Sequence, residues 1–450
     1  MTDINFPTAT AGALVAALAA RRIGALELTD IAIARIEAVD GPINAVVVRD
    51  FERAREAARA ADTALARGER RPLLGLPMTV KESHNVAGLR TSWGVEMFGS
   101  WVAPADSIGV ARLKAAGAVI LGKTNVPPFL ADWQADNPIY GRTNNPFDLT
   151  RTPGGSSGGG AAALAAGMVP LEFGSDIGGS IRVPAAFCGV FGHKPSFGVV
   201  PTRGHAPPGA DGAEIPLAVV GPLARNAADL ALALDVLAGP APDEARAWGL
   251  GLPAPRHDRL AGYRVMMLMA HPVAAVDKEI VAALEALATR LAAAGASVVR
   301  QSPALPDLAA THQTYMTILG ALTNSPEAAN APGATKAGAY IMALHAQAAI
   351  RRQWAALFET VDVVIAPAFG SGAFPHMGPG EESFTINGKP EPRMAQMAWA
   401  GLASVTNLPA TAMPIGRFAN GLPIGAQVIG PYLEDRTTIA FAGLVERQLS

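Results

Sequence analysis

Three residues of this chain have types and surroundings that suit acyl transfer: Ser156 and Ser180, each in a glycine-rich loop, and Lys81, at the end of an apolar stretch. Residues 152–184 read TPGGSSGGGAAALAAGMVPLEFGSDIGGSIRVP. The alanine-rich run predicts a helix over 158–167, and the short apolar run predicts a strand over 170–174. At 1.5 Å per residue the helix carries the chain roughly 15 Å away. At about 3.3 Å per residue the strand brings it roughly 17–20 Å back. The second loop therefore returns beside the first and sets the two serines side by side. Lys81 closes the strand-like LPMTV. A lone lysine after a strand is most often a solvated surface residue, but sites in open α/β sheets form at the carboxyl ends of strands. Held among apolar groups, a lysine loses its charge because desolvation disfavours the ammonium form. A neutral lysine can then serve as general base for a serine.

The elements that must position these residues alternate along the chain. Residues 10–70 read as helical, with an amphipathic first helix over 9–20. Strands are expected at 76–80, 118–121, 170–174, 264–269, 297–300, 361–366, 410–414 and 424–429. Helices are expected at 110–117, 226–238 and 277–294. With 450 residues, such alternation predicts the α/β class. The expected fold is a single large domain with a mixed, mostly parallel central sheet covered by helices on both faces. Within it we expect an N-terminal helical region over about 8–70, a catalytic core over about 71–240 and a variable, lid-forming region over about 305–395. Segments 202–216, 325–339 and 369–392 are rich in Pro and Gly or lack periodicity, and loops that long are usually functional or disordered.

Other motifs carry less. Residues 117–124 read GAVILGKT, a literal phosphate-loop pattern. Its middle residues are themselves a strand and Asn-Val-Pro-Pro follows where a helix should start, so the match is by chance. GGSSG at 154–158 fits a nucleophile elbow, but the polar, proline-bearing residues before it make a poor strand. No histidine stands in a setting that marks it as a base, and no His or Cys spacing suits a metal. The single cysteine, Cys188, lies in an apolar context and reads as a small core residue in a reducing compartment. A net charge of −2 with only scattered arginine pairs argues against nucleic acid. No apolar run reaches membrane-spanning length, and the protein is expected to be cytoplasmic.

The chain resembles the amidase signature family. The resemblance rests on GLPMTVKESHNVAG (75–88), GAVILGKTNVPPF (117–129), NNPFDLTRTPGGSSGG (144–159), GSDIGGSIRVPAAFCGVFGHKPS (174–196) and GLPIGAQVIGP (421–431). It implies a Ser–cis-Ser–Lys triad with Ser180 as nucleophile, Ser156 as bridge after a non-proline cis peptide, and Lys81 as base. Ser157 competes for the bridging place, and family spacing favours Ser156. The backbone N–H groups of Ile177, Gly178, Gly179 and Ser180 would form the oxyanion hole, with Asp176 and Arg182 holding the loop in shape. The implied activity is amide hydrolysis through an acyl-enzyme, extending to aryl amides, esters or carbamates, with no cofactor and no metal. The partner would be a small-molecule amide, and a homodimer stays open. The alternative is the glutaminase subunit of a tRNA-dependent amidotransferase, from whose version segment 202–216 departs. Substrate contacts are expected from Phe129, Trp133, Tyr315 and Tyr340 in the variable loops. His84 and His193 stand where the family pattern has apolar residues, and His84 is expected at the edge of the site.

Overall fold

The computed structural model describes residues 5–210, 213–323, 336–378 and 380–449. Parts of the expected loops, at 211–212, 324–335 and 379, lie outside the described residues.

Among the described residues, one sheet of eleven strands organises the chain. In chain order these are β1 (Val46–Arg49), β2 (Pro77–Lys81), β3 (Val119–Thr124), β4 (Leu171–Asp176), β5 (Phe191–Lys194), β6 (Val219–Ala224), β7 (Arg264–Met267), β8 (Ser297–Val299), β9 (Val363–Pro367), β10 (Ala410–Arg417) and β11 (Pro423–Ile429). Their order across the sheet is β1-β3-β2-β4-β6-β5-β10-β11-β9-β7-β8. Parallel pairing is confined to the flanks, where β2 lies between β3 and β4, and β7 between β8 and β9. The remaining six pairings are antiparallel and run through the centre and the β1 edge. The alternation that predicts parallel strands holds only at the flanks. Strands β5 and β6, and likewise β10 and β11, are joined without a crossover helix and so lie antiparallel.

Helices cover both faces. Along β9, Val363 and Ile365 enter one apolar core while Val364 and Ala366 enter another, as the two-residue period of a strand requires. The first core takes Ile280, Leu284, Leu287 and Leu291 from the helix Lys278–Ala293. The second takes Trp354, Leu357 and Phe358 from the helix Ala337–Thr360 and Trp399 and Leu402 from the helix Met397–Ser404. Each fully buried Leu, Ile or Phe contributes about 1.5–3 kcal/mol.

The parts that flank the site fold close to expectation. The helix Gly158–Ala165 leads away from the first serine loop, and β4 returns to the second. Strands β2 and β4 are parallel neighbours with Val80 opposite Phe173, so Lys81 and Ser175 emerge together at their carboxyl ends. Three strands depart from expectation: β1 inside the supposedly helical 10–70, and β5 and β6. Segment 325–339, expected to be irregular, ends in residues that already belong to the helix Ala337–Thr360. A hairpin of Ser383–Ile386 with Lys389–Pro392 occupies part of 369–392. No helix among the described residues is long and apolar enough to cross a membrane.

Candidate active site

The first serine loop is packed too tightly for side chains at its glycines. Gly154 has φ +85°, and a Cβ there would come within 2.6 Å of the Pro184 Cα; a Cβ on Gly155 would meet the Asp132 carbonyl oxygen at 2.5 Å. The Gly155–Ser156 peptide is cis. Thr152 ties the loop down, its Oγ1 donating to the Trp133 carbonyl and accepting from the Gly154 N–H, both at 3.0 Å. The Ser157 N–H donates to the Ser180 carbonyl at 3.1 Å, which joins the two serine loops.

Lys81 is fully buried, with Nζ 2.7 Å from Ser156 Oγ, 2.9 Å from Ser175 Oγ and 3.5 Å from the Ser175 carbonyl. Burial pushes its ammonium down to about 7, against the opposing pull of Asp176 and Glu172. All three oxygens can accept from Lys81 N–H groups, and in the neutral amine the lone pair can instead accept the Ser156 hydroxyl proton while the two N–H groups donate to Ser175. Behind it, burial pushes the Glu172 carboxyl up to about 7, and the hydroxyls of Thr79 and Thr124 donate to it. Ser157 is placed differently from Ser156, its Oγ donating to the Ser175 carbonyl at 3.3 Å.

The second loop hangs on Asp176. Its Oδ1 accepts from the Gly179 N–H and Arg182 Nη2, each at 2.9 Å; its Oδ2 accepts from the Ile181 N–H at 3.0 Å and Arg182 Nε at 3.1 Å. Burial works against the carboxylate, but the Arg182 guanidinium overcomes it and holds the pKa at about 2. Asp176 and Arg182 thus hold the loop. This corrects one expected oxyanion donor: the Gly179 N–H is already given to Asp176. Among the described residues, the N–H groups of Ile177, Gly178 and Ser180 donate to no protein acceptor. Ser180 is 5% exposed.

The four expected substrate contacts separate into two kinds. Trp133 and Tyr315 are buried, and their polar atoms are spent on the second loop: Trp133 Nε1 donates to the Gly178 carbonyl at 2.9 Å and the Tyr315 hydroxyl to the Ile177 carbonyl at 3.0 Å. Neither ring faces open space, because each fills the core behind the loop. Phe129 is 53% exposed and meets Phe98 edge-on at 6.4 Å. Tyr340 is half-buried against the apolar cluster around Tyr315 and Ile318. The residue that motif reading missed is Ser175, whose signal was its place one residue before Asp176 on the strand beside Lys81.

Around this centre, His84 stacks on Phe173 at 4.1 Å with Nε2 3.2 Å from the Gly174 carbonyl. Burial pushes its imidazolium well below the usual range. His205 Nε2 lies 2.9 Å from Ser83 Oγ, and burial pushes that imidazolium down to about 3. Lys123 of the false phosphate loop is buried and donates to the Arg90 carbonyl at 2.6 Å and Thr91 Oγ1 at 2.7 Å. Cys188 is a buried core residue.

The family model for Amidase matches residues 27–326 and 322–439. A glutamyl-tRNA(Gln) amidotransferase subunit from Roseiflexus castenholzii (strain DSM 13941 / HLO8) is 34% identical, covering 96% of this chain and 94% of its own. A protein of Mycobacterium tuberculosis (strain ATCC 25618 / H37Rv) named as an amidase, AmiB2, is also 34% identical, covering 99% of this chain and 96% of its own. Among solved structures, one described as a vestigial protein complex that reveals the evolutionary origins of an s-triazine catabolic enzyme is 33% identical. It superposes with a TM-score of 0.84 over 98% of this chain and 99% of that one.

Proposed function

The chain belongs to the amidase signature family, and from that premise we propose that it hydrolyses a carboxylic amide C–N bond through an acyl-enzyme on Ser180. The observation that carries this reading is the buried Lys81 amine 2.7 Å from Ser156 Oγ. In the mechanism, neutral Lys81 takes the Ser156 proton as Ser156 takes that of Ser180. Ser180 Oγ attacks the carbonyl carbon, and the oxyanion is met by the N–H groups of Ile177, Gly178 and Ser180, which have no acceptor among the described residues. Each such donor, preorganised in a site closed to water, is worth roughly 3–4 kcal/mol. The proton returns along the same path to the leaving nitrogen, the C–N bond breaks, and the amine departs. Water, deprotonated by the same relay, then releases the acid and restores Ser180. Every proton in this cycle is carried by the chain's own groups. The single, buried Cys188 suits the reducing cytoplasm, where we place the protein.

A second reading has one observation behind it: the amidotransferase subunit of Roseiflexus castenholzii is as similar to this chain as the mycobacterial amidase is. In that role the chain would release ammonia from glutamine and depend on partners.

The experiment assays the purified chain alone on chromogenic anilides, esters and carbamates and on glutamine, with Ser180→Ala as control. Anilide or carbamate turnover that vanishes in Ser180→Ala is the expected result. Turnover of glutamine alone, or only with added partner subunits, transfers the assignment to the second reading.

A further inference from the structure

We infer that Tyr315 is a positioning residue for the oxyanion hole, acting through the peptide between Ile177 and Gly178. The inference rests on the reading of Ser180 as nucleophile. A peptide unit is planar and trans, so its C=O and N–H point in opposite directions and fixing one fixes the other. Two successive peptides of the loop are gripped by aromatic donors from distant parts of the chain. In the peptide 178–179 the carbonyl accepts from Trp133 and the N–H is given to Asp176. Both of its ends are spent, and it serves as the anchor. In the peptide 177–178 the carbonyl accepts the Tyr315 hydroxyl at 3.0 Å, while the Gly178 N–H has no acceptor among the described residues. Tyr315 therefore aims a donor whose own partner is still to come. A hydrogen bond on a carbonyl also polarises its peptide and makes the N–H a stronger donor.

The grip is built for permanence. Tyr315 is fully buried in the helix Leu308–Thr323, and its ring lies flush on Gly401, where a Cβ would come within 2.7 Å of the ring. Among the described residues, the hydroxyl's further hydrogen-bonding neighbour is Met397 Sδ, at 3.7 Å. Burial pushes the phenol up, so it stays protonated and can only donate to a carbonyl. The hole would thus be formed by the 176–180 loop but oriented from the helix Leu308–Thr323, more than a hundred residues later.

The test uses a fluorophosphonate probe, which needs no known substrate. Ser180 Oγ forms a bond to phosphorus, the P–F bond breaks, fluoride leaves, and the serine proton passes to Lys81 through Ser156. The phosphoryl oxygen occupies the oxyanion hole. Tyr315→Phe keeps the ring and removes the donor. We expect its limiting labelling rate to fall about tenfold, below the roughly 10²–10³-fold loss for removing a direct donor. Probe affinity before reaction should stay at the wild-type value, and the melting temperature should fall only by what one unpaired buried carbonyl costs. A folded Tyr315→Phe that labels at the wild-type rate overturns the inference, as does an equal loss of rate and affinity. Should Tyr315→Phe not fold, 3-fluorotyrosine placed at 315 keeps the donor and acidifies it. Faster labelling than wild type then supports the role, and an unchanged rate overturns it. Ser180→Ala run in parallel separates the two ideas, because labelling that survives it removes the nucleophile assignment and the inference with it.

Discussion

Lys81 and Lys194 are both fully buried, and in both, burial pushes the ammonium down to about 7. By charge and solvation alone they are equivalent, yet their partners differ. Lys194 ends β5 and donates to the carbonyls of Pro195 at 3.0 Å and Leu408 at 2.8 Å. A carbonyl accepts and has no proton to give back. Beside Lys194, His193 lies 2.9 Å from Thr411 Oγ1 and 3.1 Å from Asp435 Oδ1, and Asp435 also takes the N–H and hydroxyl of Ser196. Every polar group named there has a partner, and the effect is to tie the helix Asp435–Leu449 to the sheet. Lys81 faces two hydroxyls, which can donate as well as accept, and the loop beside it keeps N–H groups that have no acceptor among the described residues. A depressed lysine pKa therefore does not identify a base. A base is marked by partners that can exchange a proton with it and by donors left without an acceptor.

The comparison breaks first at Lys81. Lys81→Met fills a similar volume and removes the amine. We expect kcat to fall by about 10²–10⁴-fold, the usual worth of general acid–base catalysis, with the melting temperature unchanged. Activity within a factor of a few of wild type would make Lys81 a structural lysine like its counterpart. The opposite pattern is expected of Lys194→Met. It leaves two buried carbonyls without their donor, at a cost of about 1–3 kcal/mol for each group. Denaturant unfolding should show the lower midpoint, while kcat per folded molecule stays at the wild-type value. A loss of kcat without loss of stability would join the two networks into one functional unit.

How much of this could be read from the sequence depended on the kind of signal. The serine loops were legible because a helix and a strand of known rise separate them, and β4 and the helix Gly158–Ala165 fall where that arithmetic needs them. Strand β6 was hidden by Pro222, which lacks a ladder donor and normally argues against a central strand. Strand β5 was hidden because Phe191–Lys194 carries a buried histidine and lysine, whose partners Thr411, Asp435 and Leu408 lie more than two hundred residues away. In β1, three consecutive valines were a fair strand signal, overridden by the helical context on either side. At the site, residue types pointed to Ser156, Ser180 and Lys81, and the structure sets Lys81 beside Ser156. They could not foretell that the Gly179 N–H would be spent on Asp176, or that Trp133 and Tyr315 would turn inward to the loop. Those are facts of hydrogen-bond direction, which composition and spacing do not encode.

The central claim is that Lys81 works as a neutral base. The most direct measurement is the pH profile of kcat/KM for wild type and Lys81→Met between about pH 5 and 9. The catalytic form is the deprotonated one, so activity should rise with pH through about 7 and then level off. The residual activity of Lys81→Met should lack that rising limb. A wild-type profile that is flat across this range, or a limb that survives in Lys81→Met, would contradict the account.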